Sequence, residues 1–521
     1  MNNSNYEFPK AWVNIKLGQF VESEKGKKPK RQAIEKSAEF KFPYIDIEAF
    51  EQGKVKSWTD GEGCRFCYES DFLMVWDGSR SGLVGKGMHG ALGSTLVRIS
   101  FPGMLNQYAY YFLLSKYQEI NTRAKGSGTP HVDPNLLWSY DFPVAPLNEQ
   151  KRIVAKIEEL FSELDNGIAT LKTAHDQLKV YRQTVLKHAF EGKLTAKWRA
   201  ENADKLESPE QLLARIHQER EARYQEQFEA WKTAMRVWEV SGKEGIKPSK
   251  PIKPKRFDTL SPNEISELGS IPREWSWIRT GDIALVGTGI TPLRSNSEFH
   301  TSGNIAWVTS GALNDTYVRE ASSYITEKAL NETNLRLYPK HTLVLALYGE
   351  GKTRGKCSEL LIQATINQAV AAIMLEGIPS GLRKFVKWHL TKNYEEMRLL
   401  ASGGVQPNLN LGIIENMTLP LCSLLEANEL SSQLDEKFSV IDDLSSSIDR
   451  QLMKAESIRQ SILKKAFSGQ LVPQDPNDEP ASELLARIQA EKDLVQLTAK
   501  QKPKKTSTIK RARKGKATAN G

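Results

Sequence analysis

Apolar residues recur every seven positions along two stretches of the chain. The first stretch carries them at Ile157, Leu164, Leu171, Leu178 and Val185. The second stretch repeats the spacing 277 residues later, at Leu434, Ile441, Ile448, Ala455 and Ile462. A sustained seven-residue apolar repeat is typical of long helices that pair as a coiled coil. The pattern therefore predicts two long helices that share one kind of apolar seam.

The segments that close these two helices are also related. Residues 182–194 and 459–471 are identical at 8 of 13 positions, again at an offset of 277. Asn148 is a candidate N-cap for the first helix, and Gly192 is a candidate stop signal. A helix between these residues would be about 65 Å long, at about 1.5 Å per residue. The chain therefore contains an internal repeat, which must be recognised before a fold is assigned.

The regions around the helices contain short β-type runs separated by glycine-rich turns. The segment Phe8–Trp12 resembles Ile271–Trp275, and Pro143 recurs as Pro420. We therefore predict an α+β fold with a pseudo-two-fold repeat, in which two mixed α/β domains are separated by two long helices. The predicted order is a globular domain (1–147), a spacer helix (148–206), an extra helix and linker (207–262), a second globular domain (263–424), a second spacer helix with a following helix (425–490) and a basic tail (491–521).

The extra segment carries its own helix signals. Ser208 is a candidate cap and Pro209 fits the first helical turn. Further along, aromatic and apolar residues repeat at helical spacing, at Tyr224, Phe228, Trp231, Met235 and Trp238. Packing within the chain is the favoured interpretation of this seam, and docking to another subunit remains open. The proline- and lysine-rich stretch 243–256 is predicted to be a stiff linker, with contact to phosphate as the weaker alternative.

Composition limits the cellular setting. The chain has 521 residues and is 39% apolar, so it is long enough for several domains with cores of their own. It has no run of about 18 apolar residues, as a membrane span would require, and its first residues lack the apolar core of a signal peptide. Only four cysteines occur, which fits a reducing compartment. These features predict a cytoplasmic protein with no membrane partner.

The formal net charge of +9 is concentrated at one end of the chain. The stretch 499–521 holds nine lysines and arginines and no acidic residue. The remainder of the chain is therefore close to neutral, and any nucleic-acid surface on it must be local. The tail is predicted to be a solvated extension, with non-specific attraction to phosphate as the alternative.

Common catalytic motifs are missing. The stretch Gly351–Thr353 resembles part of a phosphate-binding loop, but Ala346 occupies the position where that loop needs its first glycine. Cys64 and Cys67 have no second pair at zinc-ligand spacing, so no metal site is predicted. No Asn-Pro-Pro-aromatic or Asp-Pro-Pro-aromatic segment of an amino-methyltransferase occurs. The sequence therefore predicts no catalytic residue.

Polar, glycine-rich loops are the stronger candidates for function. Arg and Lys side chains pair with guanine, Asn and Gln with adenine, and Ser or Thr with bases or phosphates. Ordinary surface turns are the alternative interpretation, which composition does not exclude. The candidate DNA contacts are Ser79, Arg80, Lys86, Lys125, Ser127, Thr129 and His131 in the first domain, and Lys352, Thr353, Arg354, Lys356, Gln406 and Asn408 in the second.

The whole pattern resembles the specificity subunit of a type I restriction-modification system. The resemblance rests on the heptads followed by the motifs at 187–192 and 464–469, Lys-His-Ala-Phe-Glu-Gly and Lys-Lys-Ala-Phe-Ser-Gly. It implies that the globular domains are target recognition domains, each reading one half of a split, asymmetric site in double-stranded DNA. It also implies that the spacer helices pack antiparallel, set the gap between the half-sites and bind two modification subunits.

The same resemblance assigns the chemistry to other chains. Modification subunits would hold S-adenosylmethionine and methylate adenine, and restriction subunits would use ATP and Mg²⁺ for translocation and cleavage. This chain would then need no cofactor. Two other classes remain open, a fused methyltransferase or nuclease with disguised motifs and a coiled-coil scaffold protein. The scaffold is disfavoured because it has no need for two globular domains with different interiors.

The sequence departs from compact members of this family at about Glu219 to Pro262. The extra segment leaves the connection between the first spacer helix and the second domain open. Because the body of the chain is close to neutral, we expect tight, specific DNA binding only in a complex with modification subunits. Shortening the spacer helix 148–194 is expected to change the permitted gap between half-sites but not their sequences.

Overall fold

The computed structural model describes residues 8–126, 128–244, 247–348, 353–375, 377–394, 397 and 409–500, without the side chains of 495, 496 and 498–500. The chain forms two compact units. The described residues up to Lys172, together with those from Asp449 onward, form the first unit, and Thr173–Ile448 form the second. Each long helix therefore contributes one part to each unit.

The first unit begins with a mixed α/β domain. Its strands are β1 (Val13–Lys16), β2 (Glu22–Lys25), β3 (Gln32–Ala33), β4 (Phe42–Ile45), β5 (Trp58–Thr59), β6 (Phe66–Cys67), β7 (Phe72–Val75), β8 (Val84–Lys86), β9 (Gly90–Leu92), β10 (Leu96–Ser100) and β11 (Asp141–Val144). Its helices are a 3-10 turn (Leu17–Gln19), α1 (Ile47–Gln52), α2 (Asn106–Thr122), α3 (Pro134–Ser139) and the start of α4 (Leu147–Phe190). The strands form sheets in the orders β1-β11, β2-β10-β7-β8 and β3-β5-β4-β9-β6.

The second unit contains the corresponding domain and the extra helix. Its helices after α4 are α5 (Ala196–Glu201), α6 (Pro209–Val240), α7 (Pro262–Ser266), α8 (Thr280–Ile283), α9 (Glu327–Glu332), α10 (Ser380–Lys392), α11 (Leu411–Asn416) and the start of α12 (Leu424–Phe467), with 3-10 turns at Ala203–Lys205, Ser297–Phe299 and Ser310–Asn314. Its strands are β12 (Ser276–Arg279), β13 (Leu285–Thr288), β14 (Ile305–Val308), β15 (Tyr317–Val318), β16 (Ser323–Ile325), β17 (Leu343–Ala346), β18 (Cys357–Leu360), β19 (Thr365–Ile366), β20 (Val370–Met374) and β21 (Thr418–Leu421). They form sheets in the orders β12-β21, β13-β20-β17-β18-β15 and β16-β14-β19. The chain then returns to the first unit, which ends with α13 (Ala481–Lys500).

The two domains repeat one arrangement of strands. In each, the first and last strands pair antiparallel, with Asn14 opposite Pro143 in one and Trp277 opposite Pro420 in the other. In each, a hairpin lies beside a third antiparallel strand, as β8-β7-β10 and as β18-β17-β20. A short parallel pair also recurs, as β4 with β9 and as β14 with β19. The predicted α+β fold with an internal repeat is therefore confirmed.

The long helices pair in opposite directions within each unit. In the second unit Arg182 contacts Asp442 at 2.7 Å, whereas Arg199, further along the chain, contacts the earlier residue Glu426 at 2.9 Å. The first unit repeats this order, since Arg152 contacts Asp478 at 2.7 Å, whereas Asp165, further along the chain, pairs with the earlier residue Arg459. An antiparallel pair places the start of each helix beside the end of the other, so the core of each unit receives one start and one end.

The heptad positions differ in burial along the helices. In the first unit Ile157, Ala455 and Ile462 are buried, and in the second Val185, Leu434 and Ile441 are buried. The remaining positions, Leu164, Leu171, Leu178 and Ile448, are partly exposed. All of these buried members except Ala455 join the domain cores, with Ile157 and Ile462 in one cluster and Val185, Leu434 and Ile441 in another. Most of the apolar burial at the seam therefore lies where the helices meet the domains.

Glycine is required where each long helix ends. Helix α4 begins at Leu147, so Asn148 lies inside its first turn and the predicted cap is wrong. The predicted stop is confirmed, because Gly192 follows the helix with φ of +67°. A Cβ on Gly192 would lie 2.3 Å from Pro272 Cγ, and one on Gly469, with φ of +74°, would lie 2.4 Å from Pro9 Cγ. Both the left-handed backbone and the close approach exclude a larger residue.

The extra helix α6 is integrated into the second unit. Ser208 and Gln211 form a capping box, as the cap prediction implies. Leu212 and Ile216 are buried in the core of the unit. Arg220 is also buried and donates to the carbonyl of Ala284 at 3.1 Å, directly after α8. The first half of α6 therefore belongs to the domain that follows it in sequence.

The aromatic residues in the second half of α6 pack within the same unit. Tyr224 stacks with Phe228, and Phe228 stacks with Trp231. The indole nitrogen of Trp231 donates to the carbonyl of Pro248 at 3.1 Å, and the Lys250 ammonium lies over the Trp231 ring. The proline-rich stretch thus lies against the aromatic seam, as the intramolecular interpretation predicts. None of the helices in the described part of the chain is long and apolar enough to cross a membrane.

Candidate nucleic-acid interface

Two of the predicted contact loops meet in the first unit. Residues 77–82 connect β7 to β8, and residues 125–131 lie between α2 and α3; we call them the first loop pair. The Gly78 amide donates to the carbonyl of Pro130 at 2.8 Å, and the Val132 amide donates to that of Trp76 at 2.9 Å. Asp77 also forms an isolated bridge with His131. The backbones of the two loops therefore lie side by side, with Asp77 opposite His131.

Hydrogen bonds to backbone carbonyls hold the described residues of the first loop pair. Lys125 and His131 exchange amide-to-carbonyl hydrogen bonds of 2.9 and 2.7 Å, which close the second loop. The Asn121 side-chain amide, at the end of α2, donates to the carbonyls of Ser79 and Ser81 at 3.0 Å each. A rigid loop presents its side chains at lower entropic cost than a mobile one.

The cations of this surface are each paired with a carboxylate. Arg80 contacts Glu51 at 2.6 Å, and Lys125 contacts Asp133 at 2.7 Å. The hydrogen bond from Lys125 lowers the pKa of Asp133. The Arg80 and Lys125 side chains remain more than half exposed, whereas their acidic partners are mostly covered. The pairs hold the cations in place while leaving N–H donors directed to solvent, which suits recognition of bases or phosphates.

The other candidates of the first domain lie differently. Ser79 and Thr129 belong to the first loop pair, whereas Ser127 lies outside the described residues. Lys86 is paired with Phe72, at the end of the β7–β8 ladder opposite to the loop. Because the strand runs away from the loop, the structure does not bring Lys86 together with Arg80.

The second domain has the same hairpin-and-return arrangement. Residues 347–356 connect β17 to β18, and the Gly355 amide donates to the Ala346 carbonyl at 2.9 Å with φ of +81°. The Leu409 amide donates to the Leu347 carbonyl at 3.2 Å. This bond corresponds to the one from Val132 to Trp76. The returning loop therefore ends beside the hairpin in both domains.

Three candidates of the second domain fall in the described part of its hairpin. Thr353 and Arg354 are partly buried. The Lys356 ammonium donates to Asn314 Oδ1 at 2.9 Å and lines a cleft of about 630 Å³. Lys356 is therefore directed toward the 3-10 turn Ser310–Asn314. The remaining candidates, Lys352, Gln406 and Asn408, lie outside the described residues.

The cleft beside Lys356 is polar but charge-balanced. Lys384 contacts Asp435 at 2.9 Å, and Trp388 also donates to that carboxylate, at 3.1 Å. Lys387 reaches the buried carboxylate of Glu359 at 3.3 Å. Both lysines thus have acidic partners within the unit, whereas the Lys356 ammonium contacts the amide oxygen of Asn314. Among the residues with described positions, no group of three or more His, Cys, Asp or Glu could hold a metal ion.

The fold and the candidate surface define an internally duplicated recognition protein. One frame of terminal strand pair and hairpin occurs once in each unit, with different side chains in the loops. A family model described as the type I restriction modification DNA specificity domain matches residues 9–173 and 272–451, more than half of the chain. The chain belongs to this family. The description is one of DNA specificity and names no catalytic activity.

Individual relatives agree with this assignment. The type I restriction enzyme EcoDI specificity subunit of Escherichia coli is 22% identical over 496 residues, covering 93% of this chain and 96% of that protein. The EcoKI specificity subunit of Escherichia coli strain K12 is 23% identical over 516 residues, with the same coverage of 93% and 96%. The MjaVIII specificity subunit of Methanocaldococcus jannaschii is 29% identical over 185 residues, 35% of this chain and 42% of that protein.

A solved structure shares the fold. It comes from work on complex assembly and conformational transition of the type I R-M system, and it matches with a TM-score of 0.61. The two chains are 17% identical, and the match covers 89% of this chain and all of the other. The fold class and the role as a specificity subunit thus agree with the resemblance that the repeated helices suggest.

Proposed function

We propose that this chain reads both halves of a bipartite, asymmetric DNA site for a type I restriction-modification complex. The observation that carries the proposal is the repeated frame with unlike loops. Between the hairpin strands the first domain carries Trp-Asp-Gly-Ser-Arg-Ser-Gly-Leu (76–83), with one basic residue, whereas the second carries the longer Leu-Tyr-Gly-Glu-Gly-Lys-Thr-Arg-Gly-Lys (347–356), with three. Two unlike reading surfaces on one chain permit recognition of a site that is not a palindrome, without a protein dimer.

The reading surfaces combine two kinds of contact. Arg80 and Arg354 pair with base edges in the major groove, and Ser, Thr and His side chains of the same loops contact bases or phosphates. Lys125 and Lys356 contribute positive charge beside them. Because most of these cations are already paired with acidic or amide groups, the chain alone binds DNA weakly and the assembled complex binds it tightly.

The long helices set the gap between the half-sites and dock two modification subunits. Those subunits supply S-adenosylmethionine and adenine methylation, and restriction subunits supply ATP- and Mg²⁺-dependent translocation and cleavage. This chain contributes no catalytic residue. The same recognition event serves both methylation and restriction.

Genome-wide mapping of methylated adenine tests the proposal. We expect one two-part motif to lose methylation when the gene is deleted and to regain it when the intact gene is restored. A variant gene with both Arg80→Ala and Arg354→Ala serves as the matched comparison and should restore methylation poorly. An unchanged methylation map after deletion contradicts the proposal, and methylation by the purified chain alone would favour a fused enzyme.

A further inference from the structure

A basic turn follows β2 in the first domain. The seven residues 25–31 include five cations and no acid; we call this segment the basic turn. Its cations are Lys25, Lys27, Lys28, Lys30 and Arg31. Such a density of positive charge contrasts with the near-neutral body of the chain and is not explained by the contact loops described above.

The basic turn adjoins the first loop pair. The Lys25 ammonium contacts the Asp77 carboxylate at 2.7 Å, and Asp77 bridges to His131. Gly26 fixes the turn against the sheet, because a Cβ at this position would lie 2.1 Å from the carbonyl oxygen of Gly93. The Lys27 amide donates to the carbonyl of Leu92 at 3.2 Å. The turn is therefore a fixed neighbour of the candidate reading surface.

Three lysines of the basic turn are exposed and have no acidic partner among the described residues, so their charge is available to a ligand. Lys25 is paired with Asp77, and Arg31 is paired with Glu39 and Asp60. The side chains of Lys27, Lys28 and Lys30 are exposed, and no ion pair joins them to any residue in the described part of the chain. Exposed ammonium groups without an acidic partner bind phosphates with release of counterions.

The second domain provides an internal comparison. Gly289 stands 263 residues after Gly26 and packs in the same way, since a Cβ there would meet the carbonyl oxygen of Ile366. The residues around it are neutral except for Arg294. In order they are Thr288, Ile290, Thr291, Leu293 and Arg294, in place of Lys25, Lys27, Lys28, Lys30 and Arg31. The frame of the turn therefore does not need lysine, and the cations of the first domain serve another purpose.

We propose that the basic turn binds the phosphate backbone of duplex DNA beside the half-site that the first loop pair reads. The first domain then has a salt-dependent phosphate contact that the corresponding turn of the second domain lacks, and Lys27, Lys28 and Lys30 are the residues responsible. This inference rests on the proposed function of the chain as a DNA-reading subunit. Phosphate contacts carry no sequence information, so the turn strengthens binding to all duplexes alike.

The test measures DNA affinity against salt for the full chain in complex with its modification subunits. The test variant carries Lys27→Gln, Lys28→Gln and Lys30→Gln. A charge-matched control carries three substitutions at exposed lysines near β1 and at the start of α4, namely Lys10→Gln, Lys16→Gln and Lys151→Gln. Fluorescence anisotropy is recorded between about 50 and 200 mM salt on two duplexes. One carries the two-part motif found by methylation mapping, and the other carries a scrambled sequence.

The expected result is a smaller salt dependence for the test variant alone. The slope of the logarithm of the association constant against the logarithm of the salt concentration is negative. Its magnitude should decrease by about 0.9 for each lysine that contacts a phosphate, and by up to about 2.7 for all three. Both duplexes should lose affinity by the same factor, with discrimination between them unchanged. Leu293→Lys, which gives the second domain the counterpart of Lys30, should increase the magnitude of the slope by about 0.9.

Two results overturn the proposal while the proposed function stands. One is an equal salt slope for the test variant, the control and the parent complex, with the motif still bound. The other is a loss of discrimination between the duplexes, which would assign the lysines to base contacts. If the parent complex binds neither duplex, the proposed function fails, and the proposal fails with it.

Discussion

The indole nitrogen of Trp275 donates a hydrogen bond to Glu426 Oε2 at 2.9 Å, deep inside the second unit. Glu426 is 1% exposed and also accepts from Arg199 at 2.9 Å. In the first unit Trp12 donates to Glu149 at the same distance of 2.9 Å, and Glu149 is likewise 1% exposed. Each bond joins the segment leading into the first strand of a domain to the first turn of a long helix. The two tryptophans therefore fix the domains to the helices within their units.

Trp275→Phe should weaken the attachment of the second domain. The ring would still fill its site, but the buried Glu426 carboxylate would lose one charge-assisted hydrogen bond. We expect the free energy of unfolding of the second unit to fall by about 1–3 kcal/mol. Denaturant unfolding in a double-mutant cycle with Glu426→Ala isolates the coupling between the two side chains, because a glutamine at this position could still accept the indole hydrogen bond. A coupling energy close to zero would show that this bond does not stabilise the unit.

The sequence predicts one member of each of these pairs but not the bond. The similarity of Phe8–Trp12 to Ile271–Trp275 is visible without a structure, as is the glycine that ends each helix. The carboxylate partner lies 137 residues from Trp12 and 151 residues from Trp275. An acidic residue in the first turn of a helix is also common for electrostatic reasons alone, so Glu149 and Glu426 carry no local signal. Only the folded sheet brings the partners together.

Replacing each loop arginine should affect recognition of a different half-site. Arg80→Ala should impair recognition of one half-site, and Arg354→Ala should impair recognition of the other. A bidentate contact between arginine and guanine contributes about 1–3 kcal/mol of discrimination, so we expect a loss of roughly tenfold to a hundredfold in selectivity at the affected base pair. Binding by the assembled complex to duplexes with single base changes measures this loss.

Lys86→Ala is the matched control for that experiment. Lys86 lies in the same hairpin as Arg80 but at the end of the ladder opposite to the loop. Its replacement should leave base selectivity unchanged. Unaltered binding and methylation by both arginine variants would contradict the assignment of the loops to base recognition.

The site was only partly predictable from sequence, for a physical reason. Glycine-rich composition identified residues 77–86 and 125–131 separately, but the bridge between Asp77 and His131 depends on strand pairing across the sheet. Sequence proximity also grouped Lys86 with Arg80, although the strand between them carries Lys86 away. The sequence gives no signal for the basic turn, because a run of lysines in a solvated loop is an ordinary feature. Only the contact between Lys25 and Asp77 relates the turn to the reading surface.

Burial of a charge at the helix seam should disrupt the second unit. Ile441 is 3% exposed and belongs to the same core cluster as Val185 and Leu434. Ile441→Asp would place a carboxylate there without a partner, at a cost of several kcal/mol. Val440→Asp is the matched control, because Val440 is 55% exposed on the same helix turn. Thermal unfolding should show a large loss for the first variant and little change for the second. Equal stability of the two variants would refute the seam assignment.

Acid should destabilise the second unit through His389. This residue is 2% exposed on α10 and packs edge-on against Phe190, with ring centroids 5.0 Å apart. Burial lowers the pKa of His389 to about 3, against an ordinary value of 6.5. The unfolded chain therefore takes up a proton near pH 6.5 that the folded chain refuses. The contribution of the buried, neutral His389 to the free energy of unfolding is complete above pH 6.5. It is lost as the pH falls toward 3, at up to about 1.4 kcal/mol per pH unit.

The first unit has a phenylalanine at the position that corresponds to His389, and this residue suggests the substitution for a test. Phe112 occupies the position 277 residues before His389 and packs edge-on against Phe467, the counterpart of Phe190, with centroids 5.3 Å apart. His389→Phe should therefore preserve the packing and remove the protonation cost. At neutral pH we expect a small loss of about 1 kcal/mol, because Asn393 loses its contact with the histidine nitrogen.

Below pH 6.5 the stability advantage of the parent over His389→Phe should shrink and then reverse. Only the parent loses free energy of unfolding as the histidine becomes protonated in the unfolded chain. Hydrogen exchange of the α10 amides across the acid range measures this for the second unit alone. His188→Gln removes an exposed histidine from the same unit and serves as the control, which should follow the parent. A constant difference between His389→Phe and the parent at every pH would mean that His389 is not held neutral by the fold.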